Sequence, residues 1–108
     1  MEKVIRDGKV GVLYSPGYGS GWFTWNTEHP GLLYDPAVVQ WVEAGKPRGD
    51  ELSELELYLE DKYHGMYIGS NMADLGITWL TIGTQFRVTE YDGNEGIEIQ
   101  KDVSWQVA

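Results

Sequence analysis

Cysteine is absent from this chain of 108 residues, so neither a disulfide nor a thiolate zinc site can stabilise the fold, and redox chemistry says nothing about compartment. Basic residues are scarce. Eight Lys and Arg face seventeen Asp and Glu, and the formal charge of -9 repels nucleic acid and anionic membrane unless positive groups cluster locally. Direct nucleic-acid binding is therefore not expected. Histidine occurs only as His29 and His64, without an H-E-x-x-H motif or a Cys pair beside either, so no metal site is expected. No uncharged stretch approaches the length of a membrane span, and the start, MEKVIRDGKV, carries charges where a signal peptide needs an apolar run. The expectation is a cytoplasmic protein without membrane contact.

The common catalytic fingerprints are missing too. Gly17, Gly19 and Gly21 do not fit G-x-G-x-x-G, no G-x-x-x-x-G-K-[ST] occurs, and neither Ser15 nor Ser20 stands in G-x-S-x-G. A carboxylate pair such as Glu90 and Asp92 could serve as acid and base, but among seventeen acids any such pairing is arbitrary. No residue is assigned a catalytic role, no cofactor is expected, and the chain is read as a non-enzyme.

What is present is enough for one hydrophobic core: 42% hydrophobic and 13% aromatic residues, in a length suited to a single domain over 1–108. Asp7-Gly8 punctuates two β-friendly runs and predicts strands near 2–6 and 9–14 around a tight turn. A short helix should begin with Asp35 as N-cap and Pro36 at its first position and stop at Gly45 and Pro47, with Val38, Trp41 and Val42 inward. A second helix, capped by Asp50 and ended by Gly65, carries Leu52, Leu55 and Leu59 at helical spacing. MYIGSNMADLG reads as a loop with a short extended piece. ITWLTI and QFRVTEY read as strands, and Asp92-Gly93 turns the chain into another, with an alternating tail at Val103, Trp105 and Val107. The expected fold class is α+β, an antiparallel sheet built from hairpins and packed against two short helices.

The stretch YSPGYGSGWFTWN crowds Tyr14, Tyr18, Trp22, Phe23 and Trp25 among Gly17, Gly19 and Gly21. Its rings offer stacking surfaces for a planar ligand, and its glycines let backbone N–H groups approach an anion, as in phosphate cradles. The opposing reading makes Trp22 and Trp25 a plug at the end of the core and the glycines a means of reversing the chain. Both stay open at this level. An anionic ligand also needs cations, for which Arg48, in the linker between the helices, and Arg87, facing away from Phe86 and Val88, are candidates. Arg87 has a competing role in pairing with Glu98 across the strands. The candidate ligand-binding set is thus Tyr14, Gly17, Tyr18, Gly19, Gly21, Trp22, Trp25, Arg48 and Arg87. Six acids between Asp50 and Asp61 make the second helix strongly acidic, ordinarily a solvated face.

GVLYSPGYGSGWFTWN, LLYDPAVVQWVE and GTQFRVTEYDGNEGIE together resemble a group of small uncharacterised phage and prophage proteins, across most of the chain. The resemblance implies a setting of counter-defence and carries no assigned functional residues. The leading expectation is a non-catalytic sponge that sequesters a nucleotide-derived immune signal between the Gly-aromatic loop and nearby cations, and the alternative is an acidic inhibitor that binds a host defence protein, of the anti-CRISPR or anti-restriction type. A small nucleotide-acting enzyme ranks below both. The aromatic content leaves homo-oligomerisation open, since some rings can be buried between subunits.

Overall fold

In the computed structural model, which describes residues 1–17, 21–66 and 70–99, the chain forms two helices and two antiparallel sheets, an α+β fold. The tail strand expected near Val103 to Val107 lies outside the described residues. Strands β1 (Ile5–Arg6), β2 (Lys9–Tyr14) and β3 (Gly76–Thr81) form the first sheet in that order, and β4 (Phe86–Tyr91) with β5 (Asn94–Ile99) forms the second. Both hairpin turns have the geometry that their Asp-Gly pairs dictate. Asp7 and Gly8 have φ of 52° and 75°, Asp92 and Gly93 of 50° and 83°, the doubly left-handed form that suits the right-handed twist of the flanking strands. The register follows: Arg6 pairs with Lys9, and Tyr91 with Asn94. The first strand is shorter than the sequence suggests, because only Ile5 and Arg6 complete the ladder to β2.

Helix α1 (Pro36–Glu43) starts as its sequence demands, with the Asp35 carboxylate accepting from the amides of Ala37 and Val38 and Pro36 opening the first turn. It ends in a Schellman motif: the Gly45 amide donates to Val42 O, the Lys46 amide to Trp41 O, and Gly45 takes the left-handed φ of 91°. Helix α2 (Asp50–Lys62) is capped by Gly49, one residue earlier than expected, leaving Asp50 and Glu51 in the first turn where acids favour the positive end of the helix dipole. Two short 3-10 turns, Pro30–Leu33 and Ser70–Asp74, have no counterpart in the sequence reading.

β2 is covered on both faces. Leu13 joins the main core with Trp22, Leu32, Val38, Val39, Trp41, Leu55 and Leu59, so that the helices close over one side of the first sheet. Val12, one residue earlier and therefore opposite, packs with Leu33 and Leu80 and meets Phe86, Val88 and Ile97 of the second hairpin. The helical faces follow the predicted spacing, with Val39 added to the inner side of α1 and Leu52 left at the margin of the core.

Candidate functional site

The Gly-aromatic loop closes around a carboxylate of the chain itself. Glu95 projects from the inner face of the second hairpin, the face that also carries Phe86 and Val88 of β4 and Ile97 of β5, and it is only 2% exposed. Its Oε1 accepts from the Ser15 amide at 2.9 Å, and its Oε2 from the Trp22 amide at 3.0 Å, the Thr24 amide at 2.8 Å and Thr24 Oγ1 at 2.7 Å. The Glu95 amide returns a bond to Ser15 O at 2.7 Å. A buried carboxylate is tolerated only when its lone pairs are met, and four donors meet them here. The anion met here is Glu95, and its donors are Ser15, Trp22 and Thr24.

The other loop residues build this cradle or the core beneath it. Trp22 is 3% exposed and donates Nε1–H to Leu32 O at 2.7 Å, which corrects its reading as a stacking platform: the indole is core. Gly21 is buried, and a Cβ there would lie 2.6 Å from Thr24 Oγ1 and 2.7 Å from the Trp25 ring, so only glycine lets the chain double back this tightly. Tyr14 lies across from Gly76 with its ring over that glycine, and Gly17 sits against Asp74. Trp25, 44% exposed, still presents surface. Tyr18 and Gly19 lie outside the described residues.

The two candidate cations are not gathered at the loop. Arg87 donates to Glu98 Oε1 at 2.9 Å on the outer face of the second hairpin, turned away from the face that carries Glu95. Arg48 is exposed in the linker between α1 and α2.

Two further clusters surround the core. Asp35, besides capping α1, takes the Tyr63 hydroxyl at 2.6 Å and the Tyr58 hydroxyl at 3.0 Å on Oδ2, with Lys62 Nζ at 3.4 Å. Burial, helped by the Asp35 bond, pushes the Tyr63 phenol above its ordinary range, and the hydrogen bond with Tyr58 holds Lys62 more firmly protonated. This network opens on a cavity of about 330 Å³ bounded by Gly31, Pro36, Lys62 and Tyr63. Glu2 and Asp35 line it as well, so hydrogen-bond donors and carboxylates meet there. At the opposite end of α1, Arg6 forms a two-pronged pair with Glu43 and lies 5.3 Å over the Trp79 ring. With Lys9 and Asp7 they line a cleft of about 370 Å³.

Sequence reading missed Glu95 and the outer half of the Asp35 network. A signal for the first was there: Glu95 occupies an inward position of a strand otherwise apolar on that side, and an inward acid requires donors. Among the described residues no helix is long and apolar enough to cross a membrane, and no three acids or histidines are grouped to hold a metal ion. No family model, curated protein or solved structure matches the chain.

Proposed function

We propose that this chain is a non-catalytic binding protein of the acidic-inhibitor kind, a phage counter-defence protein that presents α2 to a basic surface of a host defence protein. The observation that carries this reading is the outer face of α2. Asp50, Glu54, Leu57 and Asp61 recur at helical spacing along one exposed stripe, flanked by Glu51 and Glu60, and Leu57 stands 66% exposed among these acids. A ridge of negative charge around one apolar knob suits a nucleic-acid channel, where the partner's Lys and Arg are already arranged for phosphates. The net charge of -9 adds long-range steering toward such a surface.

The test is cleavage of DNA by a panel of restriction and RNA-guided nucleases with the chain added. One of them should be inhibited, and replacing Glu54, Glu60 and Asp61 with Gln, Gln and Asn should slow association with it about tenfold at low salt and much less at high salt. Inhibition that is unchanged in that triple variant removes α2 from the mechanism. A panel in which no enzyme is inhibited counts against the reading itself.

The cleft beside α1 favours a second reading, a sponge for a nucleotide-derived signal. It joins an indole to two cations, Arg6 and Lys9, set against the acids Asp7 and Glu43, in a volume of the size that small-molecule pockets have. A linear or cyclic nucleotide that binds there should raise the melting temperature of the wild type but not of Trp79→Ala, and should be recovered unchanged after denaturation. A full nucleotide panel without a shift removes this reading.

A further inference from the structure

The second hairpin is joined to the rest of the molecule in an unusual way. Among the described residues, β4 and β5 pair only with each other, in a sheet separate from β1, β2 and β3. Their apolar contact with the body is the small cluster of Val12, Leu33 and Leu80 against Phe86, Val88 and Ile97. Glu95 contributes five hydrogen bonds between hairpin and body, four through its carboxylate and one through its amide. The groups that meet it belong to three residues, Ser15, Trp22 and Thr24, and are mostly backbone N–H. Ser15 adds a second peculiarity. Its side-chain oxygen is fully buried without a hydrogen-bond partner among the described residues, although its amide is one of the four donors, so Ser15 holds more polar capacity than Glu95 uses.

We propose that the donors of Ser15, Trp22 and Thr24 form a carboxylate-binding site in its own right, that Glu95 is its tethered ligand, and that a free monocarboxylate occupies it when the tethered one is removed. The hairpin docks as a ligand docks, through one desolvated anion surrounded by preformed donors, and the same recognition needs no covalent link. Glu95→Ala excises a methylene and a carboxylate. Acetate restores both, atom for atom.

The experiment is a thermal titration of Glu95→Ala with sodium acetate against sodium chloride at matched ionic strength. Acetate should raise the melting temperature along a saturating curve, multiplying the folding constant about elevenfold at ten times its dissociation constant. Chloride should give only a shallow ionic-strength effect. Wild type and Glu95→Gln, whose cradles are filled by their own side chains, should not distinguish the two salts. Equal responses of Glu95→Ala to acetate and chloride overturn the proposal. Should that variant fold only in acetate, the proposal is supported. Should it fold in neither salt, hydrogen exchange on the wild type decides: a docked ligand requires the amides of Ser15, Trp22, Thr24 and Glu95 to open together. Trp22 and Thr24 amides that exchange in an opening separate from that of Glu95 overturn it.

Discussion

Replacing Trp22 with alanine is expected to lower stability by about 3–5 kcal/mol, the usual loss for truncating a large aromatic side chain in a core. In a domain of this size that corresponds to a fall in melting temperature on the order of 15 °C or more. Three effects act together: the indole leaves a cavity among Leu13, Leu32 and the helices, Leu32 O loses the Nε1–H donor at 2.7 Å, and the loop loses the anchor beside its own cradle amide. Trp22→Phe separates them, because it keeps most of the volume and removes the hydrogen bond, and should cost about 1–3 kcal/mol. Thermal or urea unfolding of the two variants measures both. An alanine variant as stable as wild type would return Trp22 to the set of surface platforms on which a ligand could stack.

That contrast shows how far composition alone can be pushed. A cluster of aromatics and glycines is compatible with a binding loop and with a core plug, since both need rings brought close to a backbone that can bend sharply. What decides is the partner of the loop's amides, and that partner is seventy residues further along the chain, on a strand that alternation alone does not bring to the loop. Punctuation was more legible. Asp7-Gly8, Asp35-Pro36 and Asp92-Gly93 place three boundaries where the structure has them, because each rests on local backbone chemistry: two left-handed turn pairs and one cap with proline at the first helical position. Helix α2 starts one residue away from its expected cap for a local reason as well. Gly49 takes a φ of 80° that allows the entry, which frees Asp50 to serve as a first-turn acid.

Charge pairs show the same division. Arg87 with Glu98 follows from the register of a two-residue turn and was available as an alternative in the sequence. Arg6 with Glu43 joins the first hairpin to the end of α1, and Lys62 with Asp35 joins the end of α2 to the start of α1. Neither is specified by spacing, since each depends on how the helices settle on the sheet. The acidic stripe on α2 needs no such information. Helical periodicity places Asp50, Glu54, Leu57 and Asp61 on one face, and their exposure leaves that face free to meet a partner.

Asp35→Ala is expected to cost at least about 3 kcal/mol, because one carboxylate performs two tasks. Losing the N-cap of α1 costs about 1 kcal/mol, the buried Tyr63 hydroxyl left without its acceptor adds about 1–3 kcal/mol, and the half-buried Tyr58 hydroxyl adds less. The side chain has no exposed surface, so its removal leaves the Tyr63 hydroxyl without the acceptor that the fold supplies. Asp35→Asn should lose less, since asparagine caps a helix about as well as aspartate and still offers one oxygen to the phenols. The same network sets an alkaline limit for the wild type. The Tyr58 and Tyr63 phenols are raised by burial, and in both the Asp35 carboxylate adds to the shift; Lys62 is raised through its hydrogen bond with Tyr58. Groups raised in the folded state give up their protons first in the unfolded chain, so their contribution is whole below the ordinary phenol value of about 10 and is lost as pH climbs through the folded values. Stability measured by urea unfolding should therefore hold steady from pH 8 to about 10 and fall beyond it. In Tyr63→Phe the fall should be shallower, because the group with the strongest burial no longer titrates. A wild-type curve no steeper than that of Tyr63→Phe would mean that the phenol is solvated and that Asp35 does not hold α2 to the start of α1.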